Sequence, residues 1–318
     1  MQTGTALNAV YSSLRMKRRY EVWFLRLALA DNSGAWWFRY LLMNPGRAGC
    51  EALKAAPVQV WATWFPRDGT PETFIQDFRK DELALSGRHS PKLDFSVGNT
   101  FIRSDGCAGH IQTRGHDISW NLAYRSHFSV VVSNKGWIGF SKTPHSDAVF
   151  SGTIAFDGKT VKGDGLGTGL QGHNCGVRHR HFWTWTHAYF QQADGRVSTL
   201  EALFYEMPFR LTFRKAIVCH DGQVRVFRSL RELRRDAQTM VWEVAGSDRD
   251  GATVAIRIEG PALTTHRLPY VKTDCAGSFE VANNSLARGK VRLLLPGQTP
   301  VELTTEIGAV LEMTGKSR

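Results

Sequence analysis

Residues Leu93–Ser133, LDFSVGNTFIRSDGCAGHIQTRGHDISWNLAYRSHFSVVVS, contain the pattern that determines the fold class. Short runs rich in β-branched and aromatic residues are separated by Gly, Asn, Asp and Ser. The spacing of these strand-and-turn units is about ten residues, which is typical of an all-β barrel or sandwich. The segment therefore predicts an antiparallel meander.

The flanking segments have the same character. Tyr20–Asn44 reads as a hairpin around the turn residues Asp31–Gly34, and both arms are apolar at nearly every position. Such arms indicate strands covered on two faces or strands that line an apolar cavity. Strand-like runs continue to the end of the chain. Two helical segments are expected, a short one within Thr73–Leu85 and a clearer one over Ser229–Gln238, where Leu residues form a stripe among arginines.

The length of 318 residues suits two β domains of ordinary size. We predict an all-β protein of two antiparallel β-barrels, with residues 1–160 forming the first domain and residues 161–318 the second. We give this boundary a margin of about twenty residues on either side, because it is inferred from the usual size of domains. A single larger barrel is the alternative.

The charge balance is strongly basic, with 40 Lys and Arg against 29 Asp and Glu and a net charge of +11. This excess favours anionic surroundings, including peripheral contact with an anionic membrane surface. Nucleic acid is not the expected partner, because the aromatic residues lie inside apolar runs and not among Lys and Arg. The oligomeric state is not indicated.

The cysteines and the N-terminal segment bear on cellular location. The five cysteines are scattered without a CxxC spacing, which argues against a disulfide scaffold and for a reducing compartment. The apolar segment Val22–Ala30 is short and interrupted by Arg26, so neither a signal peptide nor a membrane span is expected. A cytoplasmic protein is predicted.

Candidate functional residues concentrate in Gly163–Phe190, GDGLGTGLQGHNCGVRHRHFWTWTHAYF. Gly167–Gly172 matches GxGxxG, but turn-rich residues precede it and a strand follows it, whereas a dinucleotide site needs a strand and then a helix. These glycines are expected to serve a bend or bulge with a close backbone approach.

The same segment contains candidate ligands for a metal ion. They are His173, Cys175, His179 and His181, but no carboxylate stands at a suitable spacing. Arg178 and Arg180 add positive charge beside the pair of histidines, which disfavours a cation. No metal is expected.

The strand after the glycines places Trp183, Trp185, His187 and Tyr189 on one face if its side chains alternate. For a single tryptophan, ordinary core packing is the usual explanation. A histidine that shares a face with two indoles also describes the wall of a ligand cavity, since such cavities combine apolar surfaces with a few polar groups.

Several short motifs resemble one family. They are Tyr20–Leu25 (YEVWFL), Ile118–Leu122 (ISWNL), Gly172–Gly176 (GHNCG) before the Trp183-Thr-Trp185 triplet, and the segments Leu268–Tyr270 and Ala309–Glu312. Together they are similar to the tocopherol cyclase and carotenoid 1,2-hydratase (hydroxyneurosporene synthase) group, which includes lipocalin-like Diels–Alderases.

The resemblance implies two lipocalin-like, calycin-type barrels with an apolar pocket in or between them. It also implies chemistry without a redox cofactor on isoprenoid or polyketide substrates, by protonation of a double bond or by folding a chain for ring closure. The motif positions fall on Gly172, His173, Asn174 and Gly176, and on the two tryptophans. Cys175 departs from the pattern, and Asp164 is the nearest carboxylate in sequence.

The resulting hypothesis is a cofactor-independent cyclase, hydratase or pericyclase that holds a small lipophilic substrate in a barrel pocket. His173 would act as the acid/base or orienting group with Asn174 beside it, and His187 is a second polar candidate. Trp183 and Trp185 would shape the pocket and stabilise positive charge. The far wall is assigned to Glu21, Trp23 and Trp120. The alternative is a lipid or isoprenoid carrier without catalysis.

Overall fold

The computed structural model describes residues 4–11, 18–45, 50–87, 90, 92–177, 182–207 and 211–315. Within them the chain is nearly all-β and forms two antiparallel sheets, of twelve and ten strands. In the described residues, short helices lie at α1 (Gly4–Leu7) and α2 (Glu51–Ala55), and 3-10 turns lie at Lys80–Glu82, Gly136–Ile138 and Ala262–Thr264.

The first sheet contains the strands up to Gly176, in the spatial order β4-β3-β2-β1-β12-β11-β9-β8-β7-β6-β5, with β10 paired to β11. These are β1 (Arg19–Leu29), β2 (Gly34–Asn44), β3 (Val58–Pro66), β4 (Glu72–Phe78), β5 (Leu83–Leu85), β6 (Asp94–Val97), β7 (Thr100–Arg103), β8 (Gly106–Thr113), β9 (His116–Arg125), β10 (Val130–Asn134), β11 (Gly139–Phe156) and β12 (Lys159–Gly176).

The second sheet begins at Trp183, in the order β16-β15-β14-β13-β22-β21-β19-β18-β17, with β20 paired to β21. These are β13 (Trp183–Gln191), β14 (Val197–Glu206), β15 (Thr212–His220), β16 (Gln223–Phe227), β17 (Ser229–Asp236), β18 (Val241–Ser247), β19 (Thr253–Glu259), β20 (His266–Val271), β21 (Ser278–Leu294) and β22 (Val301–Thr314).

The pairing of β12 bears on the domain boundary. This strand, Lys159–Gly176, pairs with β1 and β11 and belongs to the first sheet. Its end lies within the margin of about twenty residues around residue 160 that the sequence allows. We propose that the two domains divide between Gly176 and Trp183, because the first sheet ends at Gly176 and the second begins at Trp183.

Each sheet curls around its own apolar core, which confirms the predicted all-β fold of two barrels. The first core draws inward residues from strands around the whole sheet, among them Leu25, Phe38, Phe95 and Phe150. The second does the same with residues such as Trp242. Burial of these faces supplies the main driving force for folding of each barrel.

A third apolar cluster joins the barrels. It contains residues of β1 and β2 that point away from the first core, such as Phe24 and Trp37, and residues of β13, such as Trp185. The prediction that the hairpin Tyr20–Asn44 is covered on both faces is therefore confirmed. One face packs inside the first barrel, and the other packs on the second barrel.

The glycine-rich segment is a continuous strand and not the predicted bend, although its pairing with β11 contains the expected irregularities. A Cβ on Gly169 would stand 1.8 Å from the carbonyl oxygen of Arg26, and one on Gly172 would stand 2.2 Å from the ring of Phe24. These glycines let β12 lie against β1 where a methyl group has no room.

Both helix predictions were wrong. Ser229–Asp236 is β17, paired with β18, and its apolar stripe is split because Leu230 is buried while Leu233 is 50% exposed. Thr73–Leu85 contains β4, a 3-10 turn and β5. In both segments the available sheet partner outweighs the local helix propensity.

The expectation of unpaired cysteines was wrong for two of them. Cys50, which precedes α2, and Cys275, which follows β20, form a disulfide with Cα atoms 5.9 Å apart across 225 residues of sequence. Cys107, Cys175 and Cys219 are free and buried. The disulfide connects a segment of the first barrel to a segment of the second.

In the described ranges, no helix has the length and apolar character needed to cross a membrane.

Candidate active site

A cavity lies between the two barrels, with a volume of about 1030 Å³ including the part that opens to solvent. Successive side chains of a strand point to opposite faces of the sheet. The side chains of β1, β2 and β12 that point away from the first core therefore face β13, β14 and β22 across the cavity. The first sheet and its neighbouring loops contribute Tyr20, Val22, Phe24, Arg39, Lys135, Phe140 and Asn174; the second contributes Trp183, Trp185, Leu203, Tyr205, Tyr270 and Glu312.

Glu312 is the carboxyl group in this wall. Trp183 Nε1 donates a hydrogen bond to its Oε1 at 2.9 Å, and Asn283 Nδ2 donates to its Oε2 at 3.3 Å. Burial raises the pKa of Glu312 above its ordinary value, while the positive charge of Arg39 and these two hydrogen bonds oppose the shift. A buried carboxyl with a raised pKa retains its proton over a wider pH range, as a general acid requires.

A second indole–glutamate pair lies next to it. Trp185 Nε1 donates to Oε1 of Glu201 at 3.0 Å. Burial raises the pKa of Glu201 to about 7, and the hydrogen bond from Trp185 acts against this shift. Glu201 is not among the residues that line the cavity, so it supports the position of Trp185 from behind.

Arg39 is the buried cation of the cavity. Its guanidinium lies over two rings, 4.6 Å from the centroid of Trp61 and 4.4 Å from that of Tyr270. Only 7% of the residue is exposed. Cation–π contacts with two aromatic rings hold the guanidinium in place at the cavity wall.

His173 lies inside the first barrel and is not part of the cavity lining. Its Nε2 is 2.8 Å from Oε1 of Glu21, its Nδ1 is 2.8 Å from the carbonyl oxygen of Leu7, and its ring stacks on Trp23 at 4.8 Å. The acidic partner that the sequence did not locate is therefore Glu21, on the adjacent strand. His173 and Glu21 are both fully buried, and the ring of His173 contacts Phe140, which lines the cavity, with centroids 4.8 Å apart.

The remaining predicted residues lie at the cavity, between the two barrels and inside the first barrel. Asn174 lines the cavity, and its Oδ1 is buried without a hydrogen-bond partner among the described residues. His187 lies outside the lining, with Nε2 at 2.7 Å from the carbonyl oxygen of Ser146, and burial lowers its pKa to about 3. Trp120 is inside the first barrel, where it donates to the hydroxyl of Tyr40 at 2.8 Å.

Of the predicted residues, the structure thus brings Asn174, Trp183 and Trp185 together at the cavity. It adds Glu312 and Arg39, which sequence reasoning did not select. A signal existed for both residues, because each is a charged residue inside an otherwise apolar run, WWFRYLL and AVLEM.

The structure does not test the candidate metal ligands as a set. His179 and His181 lie outside the described residues, and His173 is already bonded to Glu21 and Leu7. In the part of the chain that the structure describes, no group of three or more His, Cys, Asp or Glu side chains is arranged to hold a metal ion.

Comparison with known proteins identifies the fold. No protein-family model matches the sequence, and no curated protein matches it. Several solved structures match the fold of this chain. Kievitone hydratase from Nectria haematococca superposes with a TM-score of 0.58 at 12% identity, over 99% of this chain and 96% of that one. An AttH protein from Nitrosomonas europaea gives 0.57 at 14% identity, over 96% and 95%.

CghA superposes with a TM-score of 0.63 at 10% identity, over 93% of this chain and 88% of its own. It has also been solved with Sch210972. The fold is shared. This chain has the lipocalin-like arrangement of two barrels seen in these proteins, and at such identities the likeness extends to the fold alone.

Proposed function

We propose that the protein is a cofactor-independent cyclase or hydratase that protonates a lipophilic, unsaturated isoprenoid or polyketide substrate in the cavity between the barrels. The observation that carries this proposal is Glu312, a carboxyl group with a raised pKa in a wall that also contains Trp183 and Trp185. Its support from neighbours is limited to the fold, which kievitone hydratase shares.

The proposed chemistry begins with transfer of the Glu312 proton to the less substituted carbon of an alkene. The C–H bond forms from the π electrons, and the positive charge develops on the more substituted carbon. The indole rings of Trp183 and Trp185 stabilise this charge. Water or a hydroxyl group of the substrate then adds to the cation and returns a proton to the Glu312 carboxylate, which restores the acid.

Asn174 is proposed to position the attacking oxygen. Its Oδ1 is buried and without a partner in the described residues, so it can accept a hydrogen bond from water or a substrate hydroxyl. His173, His187, Glu21, Trp23 and Trp120 are proposed to hold the strands behind the cavity wall, because their side chains are bonded or packed inside the structure.

The test uses ortho-prenylphenol in deuterated water. Protonation of its alkene gives a tertiary cation, which the phenol oxygen traps as a dimethylchroman or water traps as a tertiary alcohol. The product should contain one carbon-bound deuterium. Glu312→Gln should lower the rate by about 100-fold or more, as expected for loss of a general acid.

Glu232→Gln is the matched control, since Glu232 accepts a hydrogen bond from the indole of Trp242 at 2.7 Å in the second barrel. This variant should keep the wild-type rate. Any acid would deliver deuterium to carbon, because the phenolic proton exchanges with the solvent, so the rate loss in Glu312→Gln is what identifies the proton donor. A Glu312→Gln variant with wild-type turnover would overturn the assigned acid.

A lipid or isoprenoid carrier is the second candidate, since the apolar lining of the cavity would serve it equally. Mass spectrometry of the small molecule that leaves the purified protein, before and after incubation, separates the two functions. An unaltered ligand supports the carrier. A ligand of changed mass or retention time supports the enzyme.

The cytoplasmic location and the contact with an anionic membrane remain proposals. The first loses the support of the cysteine pattern, because disulfides such as Cys50–Cys275 persist mainly in oxidising compartments. The second rests on the net charge of +11.

A further inference from the structure

Arg39 is an unusual residue for its position. It lies in the middle of β2, an eleven-residue strand in which every other residue except the last, Asn44, is apolar or glycine. Its side chain belongs to the face that opposes the second barrel, and it lines the cavity beside Glu312. Placing a guanidinium in such surroundings is unfavourable unless the charge has partners.

The partners of Arg39 are incomplete. Its Nη1 is buried and has no hydrogen-bond partner among the described residues. Burial raises the pKa of Glu312 by more than the positive charge of Arg39 lowers it, so the pKa stays above its ordinary value. The cavity therefore contains a fixed cation beside a carboxyl group whose pKa is raised by burial.

Arg26 shows how the same chain satisfies a buried arginine that has a structural role. Arg26 is fully buried in β1, and it donates to the carbonyl oxygens of Ser285 at 2.7 and 3.1 Å and of Gly308 at 3.2 Å. These bonds join the first barrel to the second. Arg39, only 7% exposed, is instead held by aromatic rings, and its Nη1 has no hydrogen-bond partner among the described residues, so this group can donate to a ligand.

We propose that the substrate carries an acidic two-oxygen group, a carboxylate or vinylogous acid, and that Arg39 binds it. This inference rests on the proposed function and names the substrate class for the same cavity. The planar guanidinium suits such a group because two of its N–H donors can pair with two oxygens. The apolar remainder of the ligand would then lie along Phe24 and Trp185.

The anchored anion would also assist the proposed acid. A negative charge near Glu312 disfavours ionisation of that carboxyl, so the proton stays on Glu312 until the alkene accepts it. Binding of the acidic group and protonation of the alkene would thus be coupled through the side chains of one cavity wall.

The test compares a prenylated hydroxybenzoate with its methyl ester, by titration of tryptophan fluorescence. Wild-type protein should bind the acid at least about tenfold more tightly than the ester, as expected for a charge-assisted hydrogen-bonded pair in a buried site. Arg39→Met should bind both with equal affinity while its affinity for the ester stays at the wild-type value. Arg39→Lys should keep part of the preference.

Lys135→Met is the matched control, since Lys135 is a second cation of the lining but is exposed at the mouth. It should keep the full preference. Equal binding of acid and ester by the wild type, or an equal loss in Lys135→Met, would overturn the role of Arg39 and leave the proposed function standing. Binding of neither probe would instead contradict the lipophilic cavity, and the proposed function with it.

Discussion

Trp183 reaches diagonally across the β13–β22 pair to donate its indole N–H to Glu312 at 2.9 Å. This hydrogen bond stabilises the carboxylate and so lowers the pKa of Glu312, against the larger effect of burial. The tryptophan thus does more than fill the cavity wall. It adjusts the acidity of the group proposed to protonate the substrate.

Trp183→Phe should therefore raise the pKa of Glu312. Because the protonated carboxyl is the active form, the rate with ortho-prenylphenol falls as pH rises through this pKa. The descending limb of the pH–rate profile should move to higher pH in the variant. Trp242→Phe removes the corresponding bond to Glu232 and should leave the limb in place. A shift to lower pH would contradict the assignment.

Substitution of a close-packed glycine in β12 should lower the stability of the fold. Gly169→Ala places a methyl group 1.8 Å from the carbonyl oxygen of Arg26, so one of the two strands must move. The loss of unfolding free energy should be about 3 kcal/mol, measured by chemical denaturation. Gly165→Ala is the control, since a Cβ there meets nothing within 4 Å, and it should change stability by less than about 0.5 kcal/mol.

The strands and the double coverage of the hairpin Tyr20–Asn44 were predictable, because both are recorded in local alternation and composition. The helix predicted at Ser229–Gln238 was wrong, because local composition does not determine the structure of this segment. Its pattern was read locally, while the sheet partner β18 decides its structure.

The site was harder to predict because its partners come from different parts of the chain. Glu21 is 152 residues from His173, and Trp183 is 129 residues from Glu312. The alternation that placed Trp183 and Trp185 on one face could be read from one strand. The side of β12 on which His173 would lie depends on its register with β1, which the sequence does not encode locally.

The carboxyl group of Glu201 predicts a pH dependence of stability. Its folded-state pKa of about 7 is raised from 4.5, so the folded protein binds this proton more tightly than the unfolded chain does. The contribution is present in full below pH 4.5 and is lost as pH rises to about 7. Each pKa unit corresponds to about 1.4 kcal/mol, so the loss should be on the order of 3 kcal/mol.

Glu201→Gln removes this titration and isolates it from other groups. The difference in unfolding free energy between wild type and variant should decrease across that pH interval and stay constant above it. His187, whose pKa is lowered to about 3, acts in the opposite sense by destabilising the fold as pH falls, but it is common to both proteins. A difference that does not vary with pH would show that Glu201 titrates normally.

The disulfide between Cys50 and Cys275 closes a loop of 225 residues between the two barrels. Such a crosslink restricts the unfolded chain, and for a loop of this length the expected stabilisation is about 5 kcal/mol at most. Cys50→Ala should lower the free energy of unfolding toward this limit, and the double variant with Cys275→Ala should lose no more than the single one, because both remove the same bond. Alkylation of the denatured, unreduced protein should label only Cys107, Cys175 and Cys219, and labelling of all five cysteines would contradict the bond.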